Sequence, residues 1–211
     1  MAYIQEGYNE WASEYDTMLN KTRDTEAKAL QELLQTQTYS SVLELGCGTG
    51  KNTNFLRQIA LQVTAVDFSE AMLDIARQKI KARNVQFIQA NFLENCQFLP
   101  LNSCGLVVCS LVLEHVENIT QLIERIYPLL RSGGQLYIGE LHPFKQYLGS
   151  KARFTDQAGN EKTLTTFVHH LSDYLQALPS NKWNVLQIKE YFDEEDTTAV
   201  PRVLAILAQK K

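Results

Sequence analysis

Between about residue 40 and residue 140, short aliphatic and β-branched runs alternate with longer stretches whose apolar positions recur at helical spacing. That alternation predicts parallel strands joined by helices covering both faces of a sheet. The strand-like runs are Ser41–Leu45, Gln62–Val66, Val85–Gln89, Leu106–Leu113 and Gln135–Glu140. Asn52–Ala60 reads as a helix, and Ala71, Met72, Ile75, Ala76 and Ile80 give a second helix its apolar face behind Ser69 as N-cap. Ile119–Leu130 reads as a third, stopped by Ser132-Gly133-Gly134. Leu106–Leu113 is continuously apolar, as a strand covered on both faces requires. Upstream, Tyr8–Leu19 and Glu26–Leu34 have helical character, and downstream Ser172–Leu178 does too. Val185–Phe192 and Val203–Ala208 follow as strands with no helix between them, so this end of the sheet should be antiparallel, with the acidic run Asp193–Asp196 in the turn. His142–Thr165 has glycines, Pro143 and scattered aromatics without a clean period, the signature of a functional loop or cap.

The 211 residues favour one domain, and 45% hydrophobic content suffices for a proper core. With 20 basic and 24 acidic residues and no Lys/Arg block, the chain does not suit a nucleic-acid backbone. Met1–Glu10 lacks the pattern of a secretion signal, and no apolar stretch nears the ~20 residues that cross a bilayer. A cytoplasmic protein is therefore expected. Cys47, Cys96, Cys104 and Cys109 form no CxxC pair and read as reduced, buried thiols.

The first strand runs into Val42-Leu43-Glu44-Leu45-Gly46-Cys47-Gly48-Thr49-Gly50 and then a helix. Three glycines at alternate positions allow sharp turning and close approach of a ligand to bare backbone, and the helix N-terminus behind them suits an anionic group. In the dinucleotide fingerprint G-x-G-x-x-G the third glycine would fall at Lys51, so a nicotinamide enzyme is disfavoured. Asp67 closes the second strand, and one carboxylate can accept from two vicinal hydroxyls at once.

These residues resemble the class I S-adenosylmethionine-dependent methyltransferases, in particular the small-molecule, ubiquinone-biosynthesis-like group (methyltransferase types 11 and 12). The resemblance covers about Tyr39 to Gly139 well and the rest more loosely. It implies an α/β fold: a Rossmann-like, doubly wound sheet of seven strands, mostly parallel with a C-terminal antiparallel hairpin and helices on both faces. Residues 1–211 form one domain, with 1–38 as a helical lid and 141–170 as a substrate-side insertion after the fifth strand. It also implies that Glu44, Gly46, Cys47, Gly48 and Gly50 hold the methionine part of the cofactor, that Asp67 grips the ribose, and that Phe68 and Met72 flank the adenine. Asn91, where the family often has Asp, and the neighbouring Phe92 match the adenine end, while Ser110–His115 matches the segment lining the methyl-transfer site. The implied cofactor is S-adenosylmethionine, with S-adenosylhomocysteine as product and no metal.

Several side chains at the strand ends are candidates for the acceptor site. His115 fits either a substrate contact, including a general base, or a cap on the strand end. Glu140 and His142 leave the fifth strand on one edge, where they can orient a substrate and take a proton or anchor the loop. His169 and His170 point to opposite faces of an extended segment, so at most one of them, taken as His170, faces a substrate. Tyr8, Trp11 and Tyr15 recur at helical spacing; they pack the helix on the domain, or with Tyr15-Asp16 close it over the cofactor, which adds Tyr8 and Tyr15 to the substrate contacts.

The expected reaction is in-line methyl transfer to an O, N or C atom of a small metabolite, governed by placement and exclusion of water. The alternatives are a cofactor-binding protein without methyl transfer, in a regulatory or assembly role, and another transferase chemistry on the same fold. The net charge of −4 favours a neutral or cationic acceptor, although whole-chain charge is a poor guide to pocket chemistry. Partners are a small-molecule acceptor, no nucleic acid and no membrane span, in a monomer or homodimer.

Overall fold

The computed structural model describes residues 2–94, 96, 98–155, 159–193 and 197–211. Positions 194–196 of the acidic run and 156–158 of the long loop lie outside the described residues. Two helices, α1 (Ala2–Tyr15) and α2 (Lys21–Leu34), precede the alternating region. It comprises β1 (Tyr39–Leu45), α3 (Thr53–Ile59), β2 (Ala60–Asp67), α4 (Glu70–Lys79), β3 (Val85–Gln89), β4 (Cys104–Ser110), α5 (Ile119–Ile126) and β5 (Leu130–Leu141). There follow α6 (Pro143–Tyr147), a small hairpin of β6 (Arg153–Thr155) and β7 (Glu161–Thr163), α7 (Leu171–Ala177), β8 (Trp183–Tyr191) and β9 (Val203–Lys210).

The main sheet has seven strands in the order β3-β2-β1-β4-β5-β9-β8. β1 to β5 are parallel; β9 inserts antiparallel between β5 and β8. Strand order reverses between β1 and β4, so a crevice opens at their C-terminal ends, where ligands of such sheets bind. Alternate residues of the central strands serve two cores. Val42, Leu106 and Val108 pack with Leu30, Leu34 and Leu56 on one face, while Leu43, Val107 and Cys109 pack with Leu122, Ile126 and Tyr174 on the other. All four cysteines are buried free thiols. No helix among the described residues is long and apolar enough to cross a membrane.

The boundaries differ from the hydrophobic pattern at instructive places. β4 stops at Ser110 because Leu111 takes a left-handed conformation (φ 54°), and the apolar run continues into a buried 3-10 turn, Leu113–His115. α5 stops at Ile126 rather than Leu130, since Pro128 follows in the 3-10 turn Tyr127–Leu129. Ser132-Gly133-Gly134 lies inside β5, where Gly133 (φ 71°) accompanies a shift of register against β4. α2 begins one turn before its apolar pattern does, capped by Asn20, whose side chain accepts from the Arg23 amide at 3.1 Å. The aperiodic loop contains α6 and the β6–β7 hairpin, both too short for a periodic signal.

Candidate functional site at the carboxyl edge of the sheet

The amides of Gly46 and Cys47 donate to the Val66 carbonyl (2.8 and 3.1 Å), which ties the glycine loop to β2 as β1 ends. Gly46, Gly48 and Gly50 all have positive φ. A Cβ on Gly46 would lie 2.1 Å from Cγ2 of Val112, whereas one on Gly48 would meet no atom within 4 Å and would project into open space. Gly50 backs onto α4, where a Cβ would come within 2.9 Å of Ile80. Asp67 accepts from the Gly48 amide (2.8 Å) through one oxygen and from the Ser69 amide (2.9 Å) through the other. Burial pushes its carboxyl up to about 6 against these two bonds. Each oxygen keeps a further acceptor position.

Three spaces meet around this loop. One void of about 60 Å3 is bounded by Gly46, Gly48, Asp67, Phe68, Met72 and Phe92, with Ser110 and His115 opposite. A second, also about 60 Å3, lies against Glu44, Cys47, Thr49, Glu26 and Arg23. The third is a chamber of about 460 Å3 between α1, the start of α2, the β6–β7 hairpin and the end of β5. Tyr15 and Leu111 line all three, so the chamber and the two voids meet at that pair. Glu44 is buried below the second void, accepts from the Thr53 hydroxyl at 2.5 Å, and is pushed up to about 8 by burial.

α1 lies across this edge. Gln5 donates to the Phe68 carbonyl (2.6 Å), Ser69 donates to Asn9 (2.7 Å), and Thr49 donates to Asp16 (2.8 Å), which also pairs with Lys79. The Tyr8 hydroxyl is 2.9 Å from Nε2 of His115, whose Nδ1 is 2.9 Å from the Thr165 carbonyl. A carbonyl only accepts, so Nδ1 carries the proton and Nε2 is the acceptor for the Tyr8 hydroxyl. Burial lowers the His115 pKa, consistent with a neutral ring. Next to it, Glu114 is 8% exposed, lines the chamber, and its Oε2 has no hydrogen-bond partner among the described residues. Burial pushes its carboxyl up to about 7.

Other predicted residues do different work. Glu140 accepts from the amides of Val112 (2.9 Å) and Leu113 (2.8 Å) through one oxygen, and so holds the turn behind the voids without lining them. His142 caps α6 by accepting from the Phe144 amide (3.2 Å), and its Nε2 meets Glu190 at 2.9 Å. At the start of α7 the Asp173 carboxylate accepts from the His170 amide (2.8 Å), and the His170 ring meets the Tyr147 hydroxyl at 2.6 Å. His169 donates from Nε2 to the Leu113 and Val116 carbonyls (3.0 and 2.7 Å), which staples the Leu113–His115 turn from below. Asn91 is engaged locally, with Glu94 (2.8 Å) and the Leu93 amide (3.1 Å). The structure therefore gathers Tyr8, Tyr15, Glu44, Gly46, Cys47, Gly48, Asp67, Phe68, Met72, Phe92, Ser110 and His115 around the three spaces. Gly50, Asn91, Glu140, His142 and His170 do not border them. Leu111 and Glu114, not named individually above, lie within the segment Ser110–His115 expected to line the methyl-transfer site and do join it, while Arg23, whose guanidinium lies 4.0 Å over the Tyr15 ring, joins it unexpected. A lone acid within the apolar run Leu106–Val116 was the available signal for Glu114; Arg23 left none.

Residues 43–138 match the family model of a methyltransferase domain. The chain is 27% identical over 209 residues to a methyltransferase of Emericella nidulans, covering 82% of this chain and 72% of that one. It is 28% identical over 151 residues to the malonyl-[acyl-carrier protein] O-methyltransferase of Paenibacillus sp., covering 66% of this chain and 55% of that one. The chain thus spans little more than half of the second relative's length. In structure it resembles an S-adenosylmethionine-dependent methyltransferase of Mesorhizobium loti, with a TM-score of 0.70 at 21% identity over 88% of this chain and 97% of that one.

Proposed function

We propose that the chain is a class I S-adenosylmethionine-dependent methyltransferase of the small-molecule type, whose acceptor occupies the 460 Å3 chamber and gives up its proton to Glu114. The observation that carries this reading is the unpartnered, buried Glu114 carboxylate on the chamber wall, one residue from the segment that borders the loop voids.

The residues present fit the cofactor. Asp67 has free acceptor positions for two hydroxyls, Phe68, Met72 and Phe92 form an apolar slot, and the open side of Gly48 leaves backbone bare. Glu44 and Glu26, both buried and pushed up, suit an ammonium group, and Arg23 beside them suits a carboxylate. When bound, S-adenosylmethionine supplies an electrophilic methyl group on a sulfonium, which becomes a neutral thioether as the acceptor atom forms its new bond.

The chain's own part is placement and proton removal. Tyr15 and Leu111 stand where the chamber meets the voids and set the line of approach. α1 acts as the lid: its bonds to Phe68, Ser69 and Thr49 hold it across the slot and keep water out. Glu114 accepts the proton of an acceptor hydroxyl or amine, and its pKa near neutrality matches that task. His115, held neutral, offers a lone pair on release of the Tyr8 hydroxyl.

Replacing Glu114 by Gln should lower kcat by about 10²-fold or more with a transferable acceptor, the usual worth of a positioned base. Wild-type kcat/KM should rise with pH through about 7 as Glu114 ionises, and the variant should lose that rise. An E114Q enzyme with wild-type turnover and the same profile would remove Glu114 from the chemistry.

Asp67 yields a second expectation. Hydroxyl donors favour the ionised carboxylate, so cofactor affinity should weaken as pH falls through about 6. A fall of one pH unit below that value costs about tenfold by linkage. Calorimetric titration with S-adenosylhomocysteine across this range checks it, and D67N should show a weaker, pH-flat affinity. A dissociation constant that stays level down to pH 5 in the wild type would exclude Asp67 as the ribose ligand.

A further inference from the structure

The charge of the chamber is opposite to that of the chain. The protein as a whole carries −4, yet the chamber wall holds five cations, Lys21, Arg23, Lys151, Arg153 and Arg202, against two acids, Glu114 and Glu161. The cations come from three distant parts of the chain: the start of α2, the loop into β6 with β6 itself, and the turn before β9. They are not equivalent. Arg202 is held by Asp193 and Thr22, and Arg153 lies 3.6 Å from Glu161. Arg23 also borders the void beneath the glycine loop, and its guanidinium donates to the carbonyls of Tyr15 and Met18 (2.9 Å to the latter). Lys21 and Lys151 are exposed on the chamber wall and make no ion pair among the described residues.

The two ends of the chamber differ in chemistry. Its inner end is apolar and aromatic, with Tyr8, Trp11, Tyr15, Leu111 and Leu141 around the single acid Glu114. Its outer end carries the lysines and Arg153. Resting on the placement of the acceptor in this chamber, we propose that the acceptor is an amphipathic anion: a carboxylate or phosphoryl group held by Lys21, Lys151 and Arg153, an apolar or aromatic body against Trp11 and Leu141, and a hydroxyl or amine at Glu114. Two unpaired ammonium groups on a concave wall attract an anion at short range and raise its local concentration. Glu114, once ionised, repels that anion from the inner end and so orients it with the charge outward. A neutral or cationic acceptor, which the net charge of the chain would favour, leaves the lysines unanswered.

The test uses the full chain saturated with S-adenosylhomocysteine, so that the two voids beside the glycine loop are filled and the probes compete only for the chamber. Three probes are titrated calorimetrically: para-hydroxyphenylacetate, its methyl ester and para-hydroxybenzylphosphonate. The expected result is that both acids bind about tenfold or more tightly than the ester, the worth of one charge-assisted contact. That ratio should shrink in high salt. In K21Q/K151Q it should fall below about threefold, and R153Q alone should lower it partway. A phosphonate preferred over the carboxylate points to a phosphoryl acceptor, and the reverse to a carboxylic one; either supports the anion site. Binding of the ester as tight as that of the acids, an acid preference unchanged in K21Q/K151Q, or no binding of any probe overturns it. Parallel assays with methyl-labelled cofactor keep the two readings apart. Methylation of an ester that binds as well as the acid sinks the anion site and leaves methyl transfer standing. Selective acid binding with no label moved to any probe does the opposite.

Discussion

Glu140→Ala is expected to destabilise the protein by roughly 2–6 kcal/mol, because two buried backbone donors would lose their side-chain acceptor, at about 1–3 kcal/mol each. Glu140 is 1% exposed at the end of β5, and one of its oxygens takes both the Val112 and the Leu113 amide. The cost should extend to the site, since Leu111, Val112 and His115 all border the loop voids. S-adenosylhomocysteine affinity should therefore fall together with stability. Gln at the same position should behave differently. Burial, with Glu114 and Glu26 nearby, pushes the Glu140 carboxyl well above the usual carboxylate range, toward the neutral form that glutamine mimics. Its second oxygen has no partner among the described residues, so an amide nitrogen there breaks no existing bond. E140Q should keep both amide bonds and stay within about 1 kcal/mol of wild type. It should also change the pH dependence. A carboxyl whose folded pKa is raised contributes stability below its unfolded value and loses it as pH climbs, and Gln removes that slope. Denaturant unfolding of both variants decides the matter: E140A within 1 kcal/mol of wild type, or E140Q as unstable as E140A, would show that the twin amide contact does not hold the turn.

This role for Glu140 shows where the sequence ran out. The parallel alternation, the glycine loop, Asp67 and the antiparallel end of the sheet are local patterns, and each was readable from a window of a dozen residues. Strand ends are different. From sequence, Glu140 and His142 share an edge with His115, but edge position does not say which backbone groups nearby need a partner. Here the turn after β4 and the start of α6 both lacked one, and the two side chains were drawn there. At the start of α7 it is the Asp173 carboxylate that supplies the partner, for the His170 amide. Leu111 carries no turn signal, because a bulky residue with positive φ is contrary to its own preference. It is held there between β4 and the Glu140-bound turn. The basic wall of the chamber was equally hidden, since Lys21, Lys151 and Arg202 are neighbours only after folding. Net charge pointed the other way because it averages over surfaces that never meet the ligand.

The glycine loop itself separates two kinds of damage. Gly46→Ala should cost roughly 2–5 kcal/mol of stability, combining about 1–2 for a left-handed alanine with about 1–3 for overpacking. Its φ is 72°, and the new Cβ would stand 2.1 Å from Val112. Val112 is pinned from behind by its amide bond to Glu140, so it cannot retreat without breaking that contact. The two predictions thus concern opposite sides of one wall. Removing the clashing side chain in G46A/V112A should recover the packing part and leave the backbone strain. Gly48→Ala carries the strain alone, since its Cβ meets nothing within 4 Å at a φ of 51°. It should lose only about 1–2 kcal/mol of stability. Its methyl group, however, would project into the void beside Asp67, where the cofactor must approach backbone, so its loss of S-adenosylhomocysteine affinity should exceed its loss of stability. Unfolding and titration measured on the same three proteins provide the check. If G48A binds normally, the loop is not the cofactor cradle; if G46A/V112A is no more stable than G46A, the collision with Val112 is not what fixes glycine at position 46.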